Sequence, residues 1–222
     1  MSGSDPAPGS SPDDGPGDSS GGDPVVYGAP SSVYVQAVRI GLSLKGVAHR
    51  LHEVDAFARP QAEWFREISP FGKMPAFRHG TVTLYESRAI LAYVDAAFAG
   101  PPLVPEDALG AARVHLVAAL MDAQAYPHWV WGLYMGRDGR KPAGEMARHR
   151  AAALTLRDAL NDSAGPFLAE TAAPSLADCL AAPMANCLAA LPEGAEILAP
   201  GTPLGRWWQI IREIPEVARH LD

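Results

Sequence analysis

The stretch SPFGKMPAF, residues 69–77, is followed closely by LYESRAILAYV, residues 84–94. The first stretch places Pro75 where an apolar run begins, and proline is tolerated at the first residue or the edge of a strand. The second places Glu86 and Ser87 directly before apolar residues at helical spacing. Together they predict a strand hairpin and then a helix that begins at Ser87.

The chain before the hairpin predicts a β-α-β-α order. The predicted elements are a strand at residues 25–28, a helix starting at Ser32, a strand at residues 47–55 and a helix at residues 60–68. A strand, a helix and a second strand in this order imply parallel pairing of the two strands. The hairpin adds an antiparallel pair, and a helix at residues 87–98 closes the unit.

The composition changes after residue 99. Proline and glycine concentrate before residue 108, which predicts a linker at residues 100–107. Beyond it the chain is rich in Ala and Leu at helical spacing, and Ser175 with Asp178 predicts a helix start close to a capping box. The predicted helices are residues 108–136, 143–161, 176–190 and 204–212, with a last turn at 216–221. The expected fold class is an α/β domain at residues 25–99 followed by an all-α domain at residues 108–222.

Residues 1–24 are almost wholly Gly, Ser, Pro and Asp, so they predict a disordered tail. Five of the 25 acidic residues lie in this tail, which leaves 20 acidic against 18 basic residues elsewhere. A nearly neutral folded part argues against nucleic-acid binding, which needs a basic surface. No apolar run reaches the roughly 20 residues of a membrane helix, and no secretory signal is visible. We therefore expect a cytoplasmic protein that acts away from membranes.

Two cysteines, Cys179 and Cys187, lie eight residues apart on one predicted helix. Over eight residues a helix rises about 12 Å, which is too far for a disulfide. They are expected to be buried structural thiols.

Four stretches carry a resemblance to a known family. They are GAPSSVYVQAVRIGLSLKGV at 28–47, the two stretches quoted first, and SLADCLAAPM at 175–184. In this order and spacing they resemble the cytosolic glutathione transferases, and ESRAI is most similar to the plant phi class and its bacterial relatives. The resemblance implies a thioredoxin-like domain that binds glutathione, a helical domain that holds most of the second-substrate site, and a homodimer.

The resemblance assigns two walls of a glutathione site. A cis Met74–Pro75 bond would present the backbone of Met74 to the cysteinyl part of glutathione, like one more strand. Ser87, at a helix N-terminus, would hold the α-carboxylate of the γ-glutamyl group, with Glu86 beside it. Read without the family, Pro75 is an ordinary trans proline at an edge strand and Ser87 is a helix cap.

The catalytic serine of the family falls on Ser32, at the N-terminus of the first helix. A free thiol of pKa near 8.5 is mostly protonated at neutral pH, and a hydroxyl that donates to sulfur favours the thiolate. Ser31 is an adjacent alternative. Tyr27 is the stronger alternative, because other classes use a tyrosine at the end of the first strand.

Phi-class members usually hold the glycine end of glutathione with a His-Lys pair, and this chain lacks it. Its loop reads FARPQAEWF at residues 57–65, so Arg59, Gln61 and the nearby Lys73 are the candidates. The first domain also has no cysteine, which argues against a cysteine-dependent thiol transferase.

The second-substrate wall is expected on the long helix. Asp122, Tyr126 and Trp129 share one face at α-helical spacing, near a kink predicted at Pro127. The alternative is core packing, which we expect for most aromatic residues of this segment, and His128 is expected to be structural. No metal-ligand cluster is visible.

The predicted reaction is attack of glutathione thiolate on a hydrophobic electrophile, with glutathione as cosubstrate and no metal. Two alternatives stay open. One is a glutathione-dependent isomerase, because AVRIGLSLKGV, residues 37–47, also resembles the start of zeta-class proteins. The other is a non-catalytic binding module with the same fold.

Overall fold

The computed structural model describes residues 22–55, 58, 62–139 and 141–221. The predicted tail therefore lies almost wholly outside the described residues. The first domain contains seven elements: β1 (Val25–Tyr27), α1 (Val33–Leu44), β2 (Arg50–His52), α2 (Glu63–Ile68), β3 (Ala76–His79), β4 (Val82–Tyr85) and α3 (Ser87–Ala97). The sequence predicted each of these elements, with different ends for β2 and α2.

The four strands form one mixed sheet in the order β2-β1-β3-β4. β1 and β2 are parallel, whereas β1 pairs antiparallel with β3 and β3 with β4. The predicted parallel unit and the predicted hairpin are both confirmed.

Alternate residues of the strands face opposite sides of the sheet, as the period of two requires. Val26 and Phe77 pack into the large core that α1 and α3 cover. Val25, Tyr27 and Ala76 point the other way, toward a smaller cluster under α2. This alternation fixes which side chains face each layer.

The second part of the chain is helical. Its elements are α4 (Ala108–Leu120), a π-helix (Met121–Tyr134), α5 (Ala143–Asn161), α6 (Leu176–Ala189), α7 (Pro192–Ile197), α8 (Pro203–Ile211) and α9 (Pro215–Ala218). The sequence predicted one helix at residues 108–136, but the structure divides it into α4 and the π-helix, and Pro127 lies inside the π-helix. The short α7 was not predicted.

α6 is the central helix of this part, and most of its residues are buried. The predicted capping box is present: Asp178 Oδ2 accepts from the Ser175 backbone and hydroxyl, each at 2.7 Å. The other oxygen, Oδ1, accepts from Trp207 Nε1 at 2.7 Å. Cys179 is buried and Cys187 is half-buried, and both are free thiols.

A buried ion pair anchors the segment between α3 and α4. Lys45 Nζ lies 3.1 Å from Asp95 Oδ1. The two oxygens of Asp95 also accept from the backbone of Leu103 at 2.8 Å and Val104 at 3.1 Å. These contacts hold the segment after α3 against the first domain. Among the described residues, no helix is long and apolar enough to cross a bilayer.

Candidate functional site

Three segments of the first domain meet at one edge of the sheet, and Ala76 shows why. Ala76 pairs with Tyr27 on one side and with Tyr85 on the other. The segment after Tyr27, the segment before Ala76 and the segment after Tyr85 therefore start beside one another. These segments contain Ser32, Met74–Pro75 and Glu86–Ser87, so the sheet register brings together the residues that the sequence singled out.

The first two segments are in direct contact. Ala29 donates its backbone N–H to Met74 Sδ at 3.1 Å. Gly28 has a φ of 154°, and a Cβ at this position would lie 2.4 Å from Val35 Cγ2 and 3.0 Å from Met74 Cβ. Only glycine fits this close approach.

The Met74–Pro75 bond is cis, as predicted. Pro75 is buried and Met74 is half-buried. The backbone N–H and C=O of Met74 make no hydrogen bond within the described chain. They are available to an extended ligand. Lys73 is exposed, and its carbonyl accepts from Ser69 Oγ at 2.6 Å.

Ser87 is the first residue of α3, and Glu86 holds the N-cap position without a side-chain capping bond. The Ser87 side chain is 8% exposed, and its hydroxyl has no partner among the described residues. Ser87 is therefore not the cap that the simpler alternative required. Glu86 has a φ of 68°, a left-handed conformation that costs a non-glycine residue about 1–3 kcal/mol. Such residues cluster at binding sites.

Ser32 is the N-cap of α1 and is half-buried. Its carbonyl accepts from Gln36 at 2.9 Å, as an N-cap carbonyl should, but its hydroxyl makes no capping bond. The hydroxyl thus has no partner among the described residues and lies at the positive end of a helix. Ser31 is exposed on the preceding turn.

Tyr27 lies in the smaller cluster under α2, not at the N-terminus of α1. It is 1% exposed, and its ring lies 5.3 Å from His52 and 6.1 Å from Trp64. Burial raises the pKa of Tyr27, and a hydrogen bond and charge from Arg78 oppose that rise. Its burial in the layer under α2 favours Ser32 as the residue that faces a ligand sulfur.

The facing wall of the cleft comes from the π-helix. Asp122 Oδ1 accepts from the Tyr34 hydroxyl at 3.1 Å, and Asp122 Oδ2 lies 3.8 Å from Arg88. Burial raises the pKa of Asp122, an effect opposed by Tyr34 and Arg88 and reinforced by Glu86. The pKa of Tyr34 is raised by burial and by the Asp122 charge, so its phenol stays neutral. Asp122 therefore connects the N-terminal turns of α1 and α3 to the second domain.

The expectation for Trp129 is corrected by the structure. Trp129 is fully buried, whereas Tyr126 is half-buried. The ring centroids of Tyr126 and Tyr34 are 4.7 Å apart. In a π-helix, hydrogen bonds join residues five apart rather than four, so the α-helical spacing that placed Trp129 beside Asp122 does not apply. Trp131, five residues after Tyr126, is 53% exposed, and its ring lies 6.4 Å from Tyr126.

Sequence reasoning missed both Tyr34 and Trp131. Tyr34 lies two residues after Ser32, so its position at the mouth of the cleft could have been inferred from that proximity. No sequence pattern indicated that Trp131 would be exposed, because its exposure follows from the π-helix. Arg59 and Gln61, the candidates for the glycine end of glutathione, lie outside the described residues.

The described residues contain no group of three or more His, Cys, Asp or Glu side chains that could hold a metal ion. His128, expected to be structural, pairs with His149 through their Nδ1 atoms at 3.0 Å.

Comparison with known proteins agrees with this geometry. Residues 26–102 match the family described as "Glutathione S-transferase, N-terminal domain". The structure of glutathione S-transferase III in apo form superposes with a TM-score of 0.76 at 27% identity, covering 90% of this chain and 95% of that one. The chain has the glutathione transferase fold, and its residues 26–102 are similar to the N-terminal domain of that family.

Two other similarities bear on this glutathione transferase fold. A stringent starvation protein A homolog of Coxiella burnetii is 33% identical over 101 residues, which are 46% of this chain and 47% of that protein. A maleylacetoacetate isomerase from Methylobacterium extorquens AM1, with bound malonate and glutathione, superposes with a TM-score of 0.68 at 27% identity. That match covers 88% of this chain and 95% of the isomerase. The chain spans about half the length of the curated relatives that it matches.

Proposed function

We propose that this protein is a glutathione transferase that joins the glutathione thiolate to a hydrophobic electrophile. One observation carries the proposal. Two serine hydroxyls, on Ser32 and Ser87, have no partner among the described residues and lie at the N-termini of two helices that begin at the same sheet edge. Each helix end favours negative charge, so the pair suits a ligand that carries both a thiolate and a carboxylate.

Ser32 is the proposed catalytic residue. Its hydroxyl donates to the sulfur, and the N-terminus of α1 adds a positive field, so the bound thiol ionises at a lower pH than the free thiol. Ser32 keeps its own proton. The sulfur is then a nucleophile held in place for attack on the electrophile.

The peptide part of glutathione is held by the backbone of Met74, which adds the ligand to the sheet as an extended strand. The γ-glutamyl α-carboxylate accepts from the hydroxyl and N–H of Ser87. Its ammonium group lies beside the carboxylate of Glu86. The glycine carboxylate is held by Lys73, Arg59 or Gln61.

The electrophile occupies the aromatic side of the cleft. Tyr34, Tyr126 and Trp131 form a continuous set of ring contacts there. Asp122 fixes the position of Tyr34 through their hydrogen bond. Such a largely apolar wall with one polar contact suits a planar, hydrophobic substrate.

The protein is proposed to act as a cytoplasmic homodimer in detoxification. The outer face of α4 exposes Leu109 by 62% and Leu116 by 59%. The exposed positions of α3 include four alanines: Ala89, Ala92, Ala96 and Ala97. Two large exposed leucines on α4, together with the small exposed residues of α3, favour burial against a second copy.

A glutathione-dependent isomerase is the second candidate, supported by the similarity to the maleylacetoacetate isomerase. The described cleft has two carboxylates, Glu86 and Asp122, against the single guanidinium of Arg88, and this balance disfavours a dianionic substrate. The similarity to a stringent starvation protein A homolog supports a third candidate, a binding module without catalysis.

Two measurements test the proposal. Calorimetric titration with glutathione should show binding, and an aryl-halide conjugation assay should show turnover. Binding with isomerisation of a maleyl substrate and no conjugation would favour the isomerase. Absence of binding at millimolar glutathione would refute both enzymes and leave the binding module.

A further inference from the structure

A second polar cluster lies toward the C-terminal end of α1, at the end opposite the proposed thiolate site. Ser43 Oγ and His220 Nε2 are 2.8 Å apart, and this bond joins α1 to the chain after α9. Arg39 is four residues before Ser43, so it lies on the same face of α1, one turn away. The face of α1 that meets the C-terminal segment is therefore polar.

Four basic side chains influence one another in this cluster. His49 and His220 have ring centroids 5.8 Å apart. The pKa of His220 is lowered to about 3, first by burial and then by Arg39, His49 and Arg219. The pKa of His49 is also lowered, chiefly by burial and further by Arg39 and Arg219. Both imidazoles are therefore neutral at pH 7, beside two guanidinium groups.

Acidic groups oppose this charge only at its edges. Glu53 acts on Arg39 from beyond β2. Glu216 Oε1 lies 3.6 Å from Arg219, and more than half of the Arg219 side chain is exposed. No carboxylate contacts His220 within the described residues.

Two buried side-chain nitrogens of the cluster, Arg39 Nε and His220 Nδ1, have no hydrogen-bond partner among the described residues, and His220 is 5% exposed. When the Ser43 hydroxyl donates to Nε2, Nδ1 carries the ring proton and becomes a donor. A buried unpaired donor costs about 1–3 kcal/mol, so proteins rarely leave two of them together.

We propose that this cluster is a binding site for a small inorganic anion. Arg39 Nε and His220 Nδ1 donate to the anion, and His49 and Arg219 line its outer side. An anion accepts from both donors and also places negative charge beside the two guanidinium groups, whereas a water molecule brings no charge. The bound anion fastens the C-terminal segment to α1.

Thermal unfolding of the full chain tests the site, with inorganic phosphate and, separately, chloride as probes at constant ionic strength. A ligand that binds only the native state raises Tm by about 3–5 °C for each tenfold increase above its Kd in a chain of this size. Phosphate also stabilises proteins by exclusion from their surface. The decisive quantity is therefore the difference in slope between the wild type and variants.

Arg39→Gln and Arg219→Gln should each reduce the slope of Tm against anion concentration. Arg212→Gln is the matched control, because Arg212 also loses one charge but lies over the Trp208 ring beside Glu213. The nitrogen resonance of His220 Nδ1 should shift on titration in the wild type and in Arg212→Gln. Because Arg219 is exposed, Arg219→Gln should fold. It therefore tests the site even if Arg39→Gln does not fold.

Equal slopes in all four proteins, with an unmoved His220 resonance, would overturn the proposal and assign the two donors to water. Response to phosphate alone would make the ligand an oxyanion, and response to both probes would make it a general anion site. None of these results depends on glutathione binding.

Discussion

Replacing Ser32 with alanine tests the proposed chemistry most directly. If the Ser32 hydroxyl donates to the sulfur, the lost charge-assisted hydrogen bond is worth about 1.5–3 kcal/mol. One pKa unit corresponds to about 1.36 kcal/mol, so the pKa of the bound thiol should rise by about one to two units. Conjugation at neutral pH should then fall by roughly tenfold to hundredfold, and part of the loss should be recovered at higher pH, where the thiol ionises unaided.

The structure also predicts what the substitution should leave unchanged. An N-cap serine typically contributes about 1 kcal/mol to stability, but the Ser32 hydroxyl makes no capping bond. Tm should therefore fall by less than about 4 °C. Glutathione affinity should also stay nearly constant, because the proposed contacts at Met74 and Ser87 remain.

The assay is ultraviolet absorbance of bound glutathione thiolate as a function of pH. Ser31→Ala is the matched control, since Ser31 is the adjacent, exposed serine. Tyr27→Phe tests the alternative that the Tyr27 hydroxyl stabilises the thiolate, which the burial of Tyr27 disfavours. A shifted curve in Tyr27→Phe or Ser31→Ala, together with an unshifted curve in Ser32→Ala, would show that the wrong hydroxyl has been assigned. An absent thiolate signal in the wild type would instead favour the binding module.

Four further outcomes are expected. Ser87→Ala should weaken glutathione binding by about tenfold to hundredfold in calorimetry with little change in Tm, and unchanged affinity would remove Ser87 from the site. Trp131→Ala should raise KM for an aryl halide without loss of stability. Trp129→Ala should instead destabilise the fold by about 3–5 kcal/mol in denaturant titration. The reverse pattern would show that Trp129, not Trp131, lines the cleft. Leu116→Glu should convert a dimer to a monomer in sedimentation, and a monomeric wild type would exclude the interface. Deleting residues 1–21 should leave Tm and activity unchanged within a few degrees and a factor of two, so a larger loss would show that the tail docks.

Local sequence signals were sufficient for most of the architecture. The Gly80 turn between two short apolar runs predicts the β3–β4 hairpin, and Ser175 with Asp178 predicts the start of α6. Both follow from interactions between residues close in sequence, so the residue types contain the information. The helix at residues 143–161 was predicted with the ends that the structure shows.

The segments of the proposed glutathione site could also be located from the sequence. Its residues lie in short segments directly before or after strands, and strand order then forces these segments together. The pairing of Ala76 with both Tyr27 and Tyr85 is the physical reason that distant motifs form one edge.

The second wall was decided by the tertiary structure alone. Residues 121–134 read as an ordinary amphipathic helix, and α-helical spacing placed Trp129 in the cleft. The π-helical hydrogen bonding of this segment instead buries Trp129 and exposes Trp131. The segment packs against α5, the next helix along the chain, and against α6, which is far away in sequence, and its α-helical spacing did not reveal the π-helical form.

Other decisive features join residues that are even farther apart along the chain. The Tyr34–Asp122 bond spans 88 positions, and the Ser43–His220 bond spans 177. By itself, the sequence determined most of the secondary structure, the motif order and the sheet edge where a peptide ligand could bind, because each rests on local propensity and strand register. Only the tertiary structure decided which aromatic ring faces the cleft, which tyrosine is buried and where basic side chains gather, because these depend on how elements distant along the chain pack.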